Sequence, residues 1–229
     1  RFDSAMRRVV ALSKSRMTTE TQRSLSDLLT TIYRAFEASS GRKNEVDALE
    51  LASGFTILCG GRKSDKLEHA FDLILDADSA KGGGGAAPVD GQYDRKTMAR
   101  YLRSFLTILL SVATCKALDG VKSGGGLDDE VAVSTMKGGR RCDNVRDAIL
   151  LGSDWAASQV FDALAGSNNG GKKRTPSPSQ QLVGFDDFAD WYTKGGYTSI
   201  PWLELLDLRK WVLTAPQQQQ PCARQPPPR

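Results

Sequence analysis

Asp76 to Leu102 reads DADSAKGGGGAAPVDGQYDRKTMARYL, and the way this stretch divides determines the fold. Asp76 and Asp78 stand two apart, a glycine run follows from Gly82 to Gly85, and Asp90-Gly91 marks a turn. Met98, Tyr101, Leu102, Phe105 and Leu109 then recur at three- and four-residue steps, the spacing of one helix face. Lys81 to Val89 has no apolar periodicity and reads as an insertion. With it set aside, Asp76, Asp78, Asp90, Gly91, Tyr93 and Asp94 fall into one short loop between two helices.

The same helical period appears along most of the chain. Leu25, Leu28, Leu29, Ile32 and Phe36 form one apolar stripe, preceded by Thr19 and Gln22 at capping-box spacing. Leu67, Ala70, Phe71 and Ile74 form another, as do Ala157, Val160, Phe161 and Leu164, and Phe185, Phe188, Trp191 and Tyr192. Phe2, Met6, Val9 and Val10 predict one more near the start. No run alternates as a half-buried strand does, so the expected class is all-α, with Gly- and Pro-rich insertions in the loops.

A calcium loop between two helices needs side-chain oxygens at positions 1, 3 and 5, a glycine at 6, an oxygen or water at 9 and a bidentate carboxylate at 12. In the stretch above, Asp76, Asp78 and Asp90 take the first three, Gly91 takes 6, Tyr93 the apolar position 8, Asp94 takes 9 and Thr97 takes 12. Upstream, Glu37 and Ser39 open a loop in which Val46 is the apolar residue, Asp47 takes 9 and Glu50 takes 12; it is two residues longer than usual. Downstream, Ser167 and Asn169 take 3 and 5, Gly170 takes 6, Val183 takes 8 and Asp187 takes 12, with 171–181 as an insertion.

With three loops in one register, the chain resembles the EF-hand proteins of the calmodulin and neuronal calcium sensor group over most of residues 20–195. VDALELASGFTILCGG resembles the exit of a first hand, KLEHAFDLILDAD with DGQYDRKTMARYL a second, and VFDAL with VGFDDFADWYT a third. The resemblance implies paired hands that share a small two-stranded contact between loops. It also implies calcium as the bound ion, and an apolar groove offered to a helical protein or peptide partner. Glu50 is the sole glutamate at position 12; Asp187 is one methylene shorter, Thr97 has no carboxylate, and Ala165 stands at position 1 of the third loop. These departures leave two expectations in view: a calcium-binding regulatory or buffering module, and a calcium-independent interaction scaffold derived from the same fold.

The expected organisation is an N-terminal lobe over 1–115 with hands near 25–58 and 67–110, and a linker and helix over 116–149. A C-terminal lobe over 150–213 holds the third hand and a terminal helix, followed by a disordered Gln/Pro tail at 214–229. In the terminal stretch SIPWLELLDLRKW, Trp202 and Leu206 are the expected anchors of a helix folded back on Phe161, Phe188 and Trp191.

Composition excludes several alternatives. The formal net charge of +4 is concentrated in loop and tail lysines and arginines such as Lys172, Lys173, Arg174 and Arg224, which gives no ordered basic face for nucleic acid. The longest apolar stretch, Phe105 to Cys115, is too short to span a bilayer. The widely spaced Cys59, Cys115, Cys142 and Cys222 read as reduced thiols of an intracellular protein rather than a zinc site with His69, which leaves the compartment open with the cytoplasm as the first expectation. GSNNGGKK at 166–173 lacks the Ser/Thr and the preceding strand of a phosphate loop, and Asp186-Asp187 has no nucleophile or histidine beside it. An enzyme is not expected.

Overall fold

A computed structural model describes residues 2–11, 17–40, 45–80, 91–115, 145–167 and 182–207. Most of these are helical: α1 (Phe2–Ala11), α2 (Thr19–Ser40), α3 (Ala48–Phe55), α4 (Lys63–Ala80), α5 (Arg95–Thr114), α6 (Val145–Ser167) and α7 (Phe185–Thr193). Two strands of two residues each, β1 (Gln92–Tyr93) and β2 (Val183–Gly184), precede α5 and α7 and pair antiparallel. The insertion at 81–89, the segment 116–144 and the tail from 214 lie outside the described residues, as do Asp90 and Asn169.

Each helix except α3 contains the apolar stripe that predicts it. The cap of α2 lies one residue earlier than expected: the Thr18 Oγ1 accepts from the Thr21 N–H at 3.2 Å, and Gln22 N–H bonds to the Thr18 carbonyl. Helix α5 is the axis of the molecule and packs against α2, α3 and α6. Its buried side chains, from Met98 through Ser111, face more than one neighbour, so an apolar stripe alone cannot serve it. The hydroxyls of Ser104, Thr107 and Ser111 are accommodated there by donating to helix carbonyls at 2.7, 2.8 and 2.7 Å.

One apolar cluster extends from Ile32 and Phe36 of α2, through α4 and α5, to Phe161 of α6 and Phe188 and Trp191 of α7. The spans 67–110 and 150–213 therefore share a core as well as the β1–β2 ladder. At its centre the rings of Phe71 and Tyr93 stack with centroids 3.6 Å apart, and Tyr101 meets Phe71 edge-on at 5.5 Å. Phe185 and Phe188 complete the group from α7, against Phe71 and Tyr101 respectively. The Tyr93 hydroxyl donates to the Phe71 carbonyl, which ties β1 to α4.

The closing segment departs from the expected helix. Pro201–Leu206 forms a 3₁₀ helix, with Leu203 and Leu206 buried, Trp202 only partly covered and Leu205 40% exposed. A 3₁₀ helix turns once in three residues, so Ile200, Leu203 and Leu206 line one edge and enter the core, while Trp202 is partly buried and packs against its flank. The anchors are thus Leu203 and Leu206, in the same cluster as Phe161, Phe188 and Trp191. Lys63 at the start of α4 donates to the Tyr192 hydroxyl, which donates to Glu204, and Lys63 Nζ lies 3.6 Å from the same carboxylate. This chain of contacts fastens the segment to α4 and α7. Burial, and then the hydrogen bond to Glu204, push the Tyr192 phenol above its ordinary range.

Candidate functional site

The first loop is built at the start of α3. Asp47 is the N-cap, its Oδ1 accepting from the N–H groups of Leu49 at 3.1 Å and Glu50 at 3.2 Å. Glu50 stands at the third helical position and is only 4% exposed. Both its oxygens are engaged by α5: Arg103 Nε donates to Oε1 at 2.6 Å and Arg103 Nη2 to Oε2 at 2.8 Å, a bidentate fork. Arg100 bridges the two acids, its Nη2 2.6 Å from Asp47 Oδ2 and its Nε 3.4 Å from Glu50 Oε2. Burial depresses the Arg103 guanidinium, but the hydrogen bonds it donates to Glu50 and the charges of Glu50, Asp154 and Asp47 outweigh it and hold Arg103 above its ordinary range.

Glu37 and Ser39, expected to open this loop, lie instead within α2, which runs on to Ser40. Ser39 is buried and its hydroxyl donates to the Phe36 carbonyl at 2.9 Å.

In the second loop Asp76 and Asp78 are likewise helical, inside α4. Asp76 is exposed. Gly91 adopts φ +68°, the left-handed conformation that a sharp turn requires and that glycine takes without strain. Tyr93 follows in β1, and Asp94 caps α5 by accepting from the Thr97 N–H at 2.7 Å. In the third loop Ser167 is the last residue of α6, Val183 is buried in β2, and Asp187 Oδ2 accepts from the Gly184 N–H at 3.1 Å, the backward half of a capping box.

The three loops share a local logic. Position 9 is the N-cap of the following helix and position 12 its third residue, and Asp47 and Asp94 at the first place and Asp187 at the second each accept from a backbone N–H at the helix start. Of the expected site residues, Asp47 and Glu50 are brought together, and arginines bring them together. Among the described residues no group of three His, Cys, Asp or Glu side chains is placed to hold a metal ion. The fit of calcium to the first loop fails on the donor set. Position 12 must offer both oxygens to the ion, and here both face the Arg103 guanidinium with that of Arg100 beside it.

Arg100 and Arg103 are the residues that sequence reading passes over. Their signal is two arginines three apart in ARYLRS, interleaved with the inward-facing Tyr101 and Leu102 of a helix with little exposed surface. Guanidinium groups at such positions call for carboxylate partners. Among known proteins, no family model matches this chain, and no curated protein or solved structure matches it.

Proposed function

We propose that this chain is an EF-hand-derived interaction module, in which the second and third hands form the pair and a helical protein segment is the partner. The observation that supports this reading is the register of the β1–β2 ladder. Tyr93 lies opposite Val183, and these are the two residues that the loop spacing assigns to position 8. A contact between loops far apart in sequence is what paired hands require, and plain helix-capping turns do not. Gly91 at φ +68° adds the turn expected at position 6. The module has no catalytic role in this reading.

A second reading, calcium binding by the paired second and third loops, is favoured by Gly91 together with Asp94 and Asp187 at the starts of α5 and α7. The two separate in one experiment: calorimetric titration of the full chain with an amphipathic helical peptide in excess chelator, then in millimolar calcium. Peptide uptake in chelator supports the scaffold, and uptake that needs calcium supports the second reading. No uptake in either condition, with no heat from calcium alone, overturns both.

A further inference from the structure

We infer that Arg103 stands in for the cation of the first loop: Glu50 is the fixed counter-ion of Arg103, and the joint between α3 and α5 holds without calcium. The inference uses the proposed hand register to identify Glu50 as position 12, whereas the ionic contacts themselves do not depend on it. A calcium ion in such a loop would draw together a carboxylate at the start of the exiting helix and groups from elsewhere. The guanidinium does this from inside the protein. It grips both Glu50 oxygens at 2.6 and 2.8 Å, and Arg100 extends the grip to Asp47 at 2.6 Å.

The surroundings make the substitution complete. Glu50 and Arg100 have side chains 6% and 14% exposed, so neither charge is left to water. Arg100 and Arg103 meet Asp47 and Glu50, with the charge of Asp154 also acting on Arg103, so both acids of the first loop are already matched by cations of the protein itself. Just behind it, the Ser53 hydroxyl meets that of Ser104 at 3.1 Å, and the backbone of α3 at Gly54 lies against the Ser104 carbonyl. The helices are therefore in contact along one seam from the ion pairs to the core. A metal ion at Glu50 would have to displace the fork and leave the partly buried Arg103 guanidinium without its bidentate partner.

The test is a double-mutant cycle with Glu50→Gln, Arg103→Gln and the double variant, followed by urea unfolding in chelator and by calcium calorimetry. Arg103→Gln is expected to lower the folding equilibrium constant by about a hundredfold or more, because it strands the buried Glu50 carboxylate, and Glu50→Gln by less, because Arg103 is only partly buried. The double variant is expected to lose no more than the worse single one, and Glu50→Gln to leave any calcium uptake of the parent unchanged. Additive losses, or loss of calcium uptake in Glu50→Gln alone, would overturn the inference. If the single variants do not fold, Glu50→Met with Arg103→Met replaces the pair by apolar side chains. It is expected to fold and to keep the parent's calcium response, and loss of that response counts against the inference. Failure of the proposed hand pairing would show in the peptide titration and would leave this cycle unaffected.

Discussion

Tyr101 lies wholly inside the protein, its hydroxyl donating to the Leu67 carbonyl at 3.0 Å, and burial holds its phenol well above the ordinary range. A raised pKa in the folded state means that the native protein keeps this proton while the unfolded chain releases it above about pH 10. The stabilisation is therefore fully present below that pH and is lost as the pH rises toward the folded value, at about 1.4 kcal/mol per pH unit for one group. Urea midpoints measured from pH 8 to 11 should fall above pH 10, and Tyr101→Phe should fall less steeply than the parent. An unchanged slope would mean that Tyr101 ionises in place. At this scale the sequence was legible where burial follows periodicity: Tyr101, Phe105 and Phe188 are core residues as their spacing predicts. Arg103 was not, because its partner Glu50 is 53 positions away and no local pattern links them.

At the scale of elements, the seam between α3 and α5 depends on a missing side chain. A Cβ on Gly54 would lie 2.6 Å from the Ser104 carbonyl oxygen, 2.9 Å from Phe36 and 3.0 Å from Ile108. The nearest of these atoms is backbone and cannot swing aside, so Gly54→Ala must push α3 off α5. The expected cost is about 1 to 3 kcal/mol, read as a lower urea midpoint with an unchanged slope. An Ala variant as stable as the parent would show that the seam is loose. The helices themselves could be read from three- and four-residue apolar steps, which survive the insertions between them. The lengths of α2 and α4 could not, since Glu37, Ser39, Asp76 and Asp78 look like loop ligands and nothing nearby stops the helix before them. The segment Pro201–Leu206 was misread for a related reason: six residues cannot distinguish a period of three from one of 3.6.

Across the whole molecule, the closing segment and the ladder join what the sequence divides into two lobes. Truncation after Ser199 removes Ile200, Leu203 and Leu206 from the core and takes Glu204 away from Lys63 and Tyr192. Losing the burial of these three side chains should cost about 5 to 9 kcal/mol, so the truncated chain should unfold at far lower urea than the parent. Equal stability would show that the segment is an accessory rather than part of the core. The β1–β2 ladder also bears on how the protein is made. Tyr93 leaves the ribosome well before Val183, and at synthesis speeds of about 5 to 20 residues/s the delay is roughly 5 to 18 s. During that interval Phe71, Tyr93 and Tyr101 have no α7 to cover them. The nascent chain thus carries an aromatic surface for seconds, which makes it a candidate client for ribosome-associated chaperones until Phe185 and Phe188 arrive.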